Sequence, residues 1–333
     1  MVDQLALIFS LISVYVAIVI GLLIWRSNLP KVMRPVVYLF LVALIGFLLL
    51  DRVRGNWSFE LAVSFTFLLP YSTWQLSRAI FSDEPWPPTK LFGYGILVIA
   101  WYHGCALAFD TASVSVYASV VMRLTTISFL VLSIVESQRG KKDDLVKSRI
   151  KLRNFFIYFV AITGVITVLT ETTLGYTDLL TLKMFQRGAI LLFSTYFLIV
   201  NTKWQDVFFA KKPQATGPKN QGMINRINEV MADQLYFKQE GLTIGQLAEK
   251  LGEQEYKLRT VINQEMGFRN FPAFVNAFRV EEAKLLLCNQ GTTTLTIQEI
   301  AFEVGFSSIG PFNRAFKAST GNTPKEFRDG NTP

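Results

Sequence analysis

The chain has 333 residues, of which 51% are hydrophobic and only 17% charged. A soluble domain averages about 25% charged residues, so this composition points to a second solvent besides water for part of the chain. One histidine and two cysteines exclude a disulfide framework and leave few groups for zinc binding or hydrolytic chemistry. No phosphate loop or nucleophile elbow occurs either, so no enzyme activity, catalytic residue, metal or cofactor is expected.

The net charge of +8 at first suggests nucleic-acid binding, but its placement argues otherwise. Residues 1–202 hold 17 basic and 11 acidic residues, while 203–333 hold 16 and 14. The excess therefore lies mostly between apolar runs. Seven such runs follow in order, at about 5–25, 34–51, 59–81, 91–109, 114–135, 154–174 and 184–202. Each approaches the ~20 residues that cross ~30 Å of hydrocarbon. None alternates with period two, so helices are expected rather than a barrel. The first run lacks a basic start and a small-residue cleavage site and reads as a retained span.

Loop charge sets the expected orientation. Arg26, Lys31 and Arg34 follow run 1, Arg78 and Lys90 surround the end of run 3, and the segment from Arg139 to Arg153 after run 5 is densely basic. These loops are assigned to the cytoplasm, with the N-terminus outside and the C-terminus inside a cytoplasmic (inner) membrane. The basic segment is read as a topology determinant that attracts anionic lipid.

Ionisable groups inside apolar runs are costly and mark functional sites by default. Arg123 falls near the middle of run 5, His103 lies in run 4 and Glu171 near the end of run 6. Two readings stand: an outward-facing pocket in which Arg123, His103 and Glu171 bind an anionic small-molecule or membrane signal, or an interhelical ion pair that only fixes packing.

Residues 204–222 include KKPQATGPKNQG and read as a linker. An amphipathic stretch over 223–238 leads into a first helix-turn-helix unit at about 243–267. Thr243 is the N-cap candidate, Ala248 the crossing residue, Gly252 the turn and Tyr256–Met266 the second helix. A long helix over Phe271–Leu287 follows, with Phe274, Phe278, Ala283 and Leu286 on its apolar face. The unit then repeats at about 296–320, with Thr296, Ala301 and Gly305 matching Thr243, Ala248 and Gly252.

The stretch Ile297–Ser308 (IQEIAFEVGFSS), then Phe312, Asn313–Lys317 (NRAFK), Gly321 and Thr323–Arg328 (TPKEFR) resembles the signature of AraC/XylS transcription regulators. Ile262–Gly267 and Asn270–Leu287 are similar to the matching part of the first unit. The resemblance covers about 223–330 and implies that each unit places one helix in a major groove of double-stranded DNA, about one turn apart. The implied DNA-facing residues are Tyr256, Lys257, Arg259, Thr260 and Asn263 in the first unit, and Ser307, Ser308, Asn313, Arg314 and Lys317 in the second. Arginine suits guanine and asparagine adenine, while lysine and serine more often hold phosphate. Thr260 stands where the family often carries arginine, and Ile309, Gly310 and Pro311 where it carries polar residues.

The expected fold is therefore all-α: a seven-helix transmembrane sensor domain over 1–203, a linker over 204–222, and an all-α double helix-turn-helix domain over 223–333. The expected function is transcription regulation from the membrane, with DNA, the lipid bilayer and RNA polymerase as partners and a homodimer as the oligomer. Alternatives are a regulator released by proteolysis near the linker, or a transporter-like protein with an appended regulator domain.

Overall fold

The computed structural model describes residues 2–26, 33–49, 58–82, 88–108, 115–172, 176–201, 220–288 and 295–330. The described residues are helical apart from turns and one isolated antiparallel bridge, Asp144 to Asn270. The chain divides into two compact units. The first holds Met1–Lys141 and Ser148–Phe208; the second holds Lys142–Lys147 and Phe209–Pro333.

Among the described residues, seven helices build the first unit: α1 (Val2–Arg26), α2 (Met33–Leu49), α3 (Ser58–Phe81), α4 (Pro88–Ala108), α5 (Ser115–Gln138), α6 (Lys147–Thr172) and α7 (Tyr176–Asn201). They fall where the apolar runs predict helices. Helix α1 packs on α2 and α7, and α3 packs on α2, α4 and α5. By length and apolar composition, only Gln4–Arg26 and Lys147–Thr167 qualify as membrane-crossing among the described residues, and Met33–Leu49 is shorter. Where seven spans were expected, the described residues form seven helices, two of which pass this test. Several of these helices carry polar residues along their length: Gln75 and Arg78 in α3, Arg123 and Thr126 in α5, and Lys183, Gln186 and Arg187 in α7.

Much of that polar content faces inward. Ser10, Ser13, Ser72, Gln75, Ser133 and Gln186 are buried, whereas Ile8, Leu11, Leu22, Leu97, Val131 and Leu192 are exposed. The inward serines return their hydroxyls to the preceding turn, as in Ser10 to Ala6 O (2.8 Å) and Ser133 to Phe129 O (2.8 Å), so each is satisfied without water.

Three buried arginines close helix ends. Arg149 donates to Ile80 O (3.1 Å) and Phe81 O (2.6 Å), and Arg153 to Phe81 O (3.1 Å), Ser137 O (2.8 Å) and Arg139 O (2.8 Å). Arg187 donates to Leu48 O (2.9 Å) and Ser10 Oγ (2.7 Å). The last carbonyls of a helix have no partner within it and carry a partial negative charge, which a guanidinium fork satisfies. Arg149 and Arg153 were expected on a lipid-facing basic loop; they are instead inside, because the open carbonyls of α3 and α5 lie beside the start of α6.

The second unit begins with α8 (Gln221–Asn228), which continues into a wide π-type turn at Glu229–Asp233. Leu235 then turns the chain with φ 52°, and a 3-10 turn covers Tyr236–Lys238. The helical stretch expected over 223–238 is therefore broken. Next come α9 (Ile244–Leu251), α10 (Glu255–Gln264), α11 (Phe271–Cys288), α12 (Ile297–Glu303), α13 (Ile309–Thr320) and α14 (Pro324–Gly330). Thr243 and Thr296 each close a capping box, with Gln246 and Glu299 as the reciprocal partners. One apolar core joins α8, α9, α10 and the start of α11; a second joins the end of α11 to α12 and α13 through Ala283, Ala301, Phe312 and Phe316. Lys142–Lys147 of the α5–α6 connection belongs to this second unit, because Leu145 is part of the first of these cores.

Candidate nucleic-acid interface

Helix α10 follows the capped α9 after a turn in which Gly252 adopts φ 65°, a left-handed conformation that glycine takes without strain. Its inner face is Leu258, Val261 and Ile262, all buried. The opposite face carries Tyr256, which is 57% exposed, Lys257, also exposed, and the half-buried Thr260. Lys257 Nζ lies 3.6 Å from Glu253 Oε2, and Thr260 Oγ1 donates back to Tyr256 O at 2.9 Å. Two of the five DNA-facing candidates of this unit sit differently. Asn263 is 8% exposed and its Nδ2 donates to Phe268 O at 3.0 Å, which fixes the turn after α10. Arg259 is held by Glu255 Oε1 and by the backbone oxygens of Lys142 and Asp144.

In the second unit Ser307 and Ser308, just before α13, and Asn313, Arg314 and Lys317 on it are all exposed. They lie opposite Phe312 and Phe316, which are fully buried. A Cβ placed on Gly310 would stand 3.6 Å from Arg314 Nη1, so Arg314 lies back over the first turn of its own helix. Together these residues give α13 a cationic and amide-bearing outer face of the kind that bonds phosphate and base edges.

Sequence reasoning missed what fixes the two units to each other. Arg279, buried on α11, donates from Nε to Phe237 O (2.8 Å) and from Nη2 to Gln239 O (2.7 Å), while its guanidinium sits 5.2 Å from the centre of the Phe306 ring. Burial lowers its pKa from the usual guanidinium value. Lys238 Nζ bonds Glu303 Oε1 (2.9 Å) and lies 3.5 Å from Glu282 Oε1; the hydrogen bond to Glu303 raises its pKa. The turn before the first unit is thereby tied to the long helix and to the second unit. An arginine inside a helical pattern, with an apolar residue on each side, was the only signal.

Of the three residues proposed from sequence for a signal pocket, Arg123 is the one found among the described residues that line a cavity. A cavity of about 390 Å³ in the first unit is lined by Phe40, Phe47 and Phe159 and, on its polar side, by Arg123, Gln186 and Thr167. Gln186 Nε2 donates to Thr167 Oγ1 at 2.6 Å. His103 is not among the described lining residues; its Nε2 pairs with Ser64 Oγ at 2.8 Å. The Glu171 side chain lies outside the described residues. Among the described residues no group of three or more His, Cys, Asp or Glu could hold a metal ion.

A helix-turn-helix domain family matches residues 247–330. An uncharacterized HTH-type transcriptional regulator of Staphylococcus aureus (strain MSSA476) is 38% identical over 112 residues, 33% of this chain and 14% of that protein. The xylose operon regulatory protein of Escherichia coli (strain K12) is 32% identical over 93 residues, 28% of this chain and 23% of that protein. The matched stretch thus spans less than a quarter of the length of either relative. No solved structure matches. The C-terminal unit is an AraC-type helix-turn-helix domain.

Proposed function

We propose that this chain is a DNA-binding transcription regulator held in a membrane, with the C-terminal unit reading double-stranded DNA from the cytoplasmic side and the seven-helix unit receiving a signal. The observation that carries the DNA reading is the fixed pair of helix-turn-helix units. Arg279 and Lys238 tie both units to α11, so α10 and α13 present their exposed faces at one set spacing, as two successive major grooves require. The likeness to relatives named as transcriptional regulators supports the same reading.

Membrane embedding is supported by the outward apolar side chains of α1, α4, α5 and α6 and by the inward serines of the same unit, since a contiguous apolar exterior marks a lipid or protein contact. The Arg123-lined cavity is the place we assign to the signal. Its aromatic wall and the Arg123 guanidinium suit an amphiphilic anion, whose binding must differ between two states to act on transcription. RNA polymerase is the machinery it would affect at a bound promoter.

The test uses the full-length chain in lipid nanodiscs to select duplexes from a random library, with binding measured against salt. Selection of a common sequence, with affinity falling as salt rises, is the expected result. Failure to enrich any sequence would sink the DNA reading, and recovery of the intact chain in the soluble fraction of cells would sink the membrane reading.

A further inference from the structure

The connection between α5 and α6 runs over residues 139–146, and its second part is built into the helix-turn-helix domain. Asp144, Leu145 and Val146 are 1%, 3% and 5% exposed. Leu145 joins the core formed by Leu247, Leu258 and Phe271. Its N–H donates to Arg269 O at 3.1 Å, and the Phe271 N–H donates to Asp143 O at 3.0 Å, so the segment forms an antiparallel bridge with the residues entering α11.

This segment captures Arg259 of α10. Arg259 Nη1 donates to Asp144 O (2.9 Å), Nη2 to Lys142 O (2.6 Å), and Nε and Nη2 to Glu255 Oε1 (2.8 and 2.5 Å). All three guanidinium nitrogens are engaged, and the side chain is only 19% exposed. A bidentate bond to guanine needs two of those nitrogens on one edge, so Arg259 does not read a base while the segment is in place.

We propose that Lys142–Lys147 is an inhibitory strap: it withholds Arg259 from DNA, and a shift at the ends of α5 and α6 releases it. The proposal rests on the DNA-binding reading. Its mechanical basis is covalent. The strap's two ends continue into helices of the first unit, while its middle pairs with the second. A signal that changes α5 against α6 therefore acts directly on the segment that holds a recognition-helix arginine. Glu255 alone, one turn away on an exposed surface, is a weaker restraint that DNA phosphates and bases compete with.

A reversible lock tests this. The bridge between Asp144 and Asn270 is the narrow, non-hydrogen-bonded kind, because the bonds are made by the flanking residues. Such pairs have Cα atoms about 4.5 Å apart, within disulfide range. Asp144→Cys with Asn270→Cys, in a Cys105→Ala, Cys288→Ser background that removes both native cysteines, is prepared as the full-length chain in nanodiscs. Affinity is measured on a duplex selected by the wild-type chain, first oxidised and then reduced. The oxidised form is expected to bind on the order of tenfold more weakly than the same sample reduced. Adding Arg259→Ala is expected to abolish that difference. Separately, Leu145→Ala, which loosens the strap, is expected to tighten binding, and Arg259→Ala to remove the gain. Equal affinity of oxidised and reduced forms overturns the strap, and a redox difference that survives Arg259→Ala overturns the role given to Arg259. Should the wild-type chain select no duplex, it is the DNA-binding reading that fails.

Discussion

Arg279 and Phe306 meet with the guanidinium 5.2 Å from the ring centre, and this contact joins α11 to the turn between α12 and α13. The same guanidinium bonds Phe237 O and Gln239 O. Arg279→Met keeps the length and loses both bonds. Hydrogen bonds from charged donors contribute about 1.5–3 kcal/mol each, partly offset by the cost of burying the charge. We expect a net local loss of about 2–4 kcal/mol, with Arg279→Lys intermediate because one ammonium cannot span both carbonyls. Hydrogen exchange of α11 and α13 amides in the full chain reads this directly. Unchanged protection would remove Arg279 from its positioning role.

Gly305 and Gly252 occupy matching turns but differ in surroundings. Gly305 has φ 93°, and a Cβ there would stand 2.5 Å from Lys238 O; Gly252 has φ 65° with nothing within 4 Å. Alanine at either site pays the left-handed penalty of about 1–2 kcal/mol. Only at Gly305 does it also force a backbone apart, adding about 1–3 kcal/mol of overpacking strain. Gly305→Ala is therefore expected to destabilise the C-terminal unit clearly more than Gly252→Ala, measured by thermal unfolding. Equal shifts would mean that the Lys238 contact yields easily.

What was legible in the sequence is what local pattern encodes. The two capping boxes, the turn glycines Gly252 and Gly305 and the crossing residues Ala248 and Ala301 all depend on neighbours within a few positions, and each stands where spacing places it. The seven first-unit helices are legible for the same reason, through apolar run length. Contacts between distant residues were not. Arg149 and Arg153 look like a basic loop until the carbonyls of Phe81 and Ser137 are seen beside them. Arg259 looks like a DNA reader until Lys142 and Asp144, more than a hundred positions earlier, close on it. Asn263 fits the groove-facing spacing, yet the turn at Phe268 folds back over it.

Acid should loosen the second unit through its capping boxes. Glu299 Oε2 accepts from the Thr296 N–H and Glu326 Oε2 from the Thr323 N–H, each at 2.7 Å. These bonds hold both carboxyl groups below their ordinary value of 4.5. A carboxylate whose folded pKa is depressed stabilises the fold above its unfolded value; that contribution is lost as pH falls through 4.5 and then through the lower folded value. Lys238 runs the other way. Its pKa is raised above 10.5, so its contribution is present below 10.5 and lost as pH climbs through the folded value. Glu299→Gln with Glu326→Gln should flatten the acid limb of the stability profile, and Glu303→Gln the alkaline limb. If thermal unfolding of the variants tracks the wild type across both limbs, these groups do not set the profile.

DNA contact by the outer faces of α10 and α13 predicts two kinds of variant. Lys257 and Lys317 are exposed ammonium groups on those faces, suited to phosphate. Each phosphate contact removed should lower the slope of log affinity against log salt by about 0.9, with the same proportional loss on every duplex. Asn313 is exposed beside them and suited to a base edge, so Asn313→Ala should leave the slope nearly unchanged and relax preference at one base pair by about 1–3 kcal/mol. Asn263→Ala supplies the contrast. Its amide is spent on Phe268 O, so it should cost about 1 kcal/mol of stability and leave base preference intact. Salt titrations on the selected duplex and on single-base variants separate the three outcomes. A preference change at Asn263, or none at Asn313, would place the DNA on a different face of these helices.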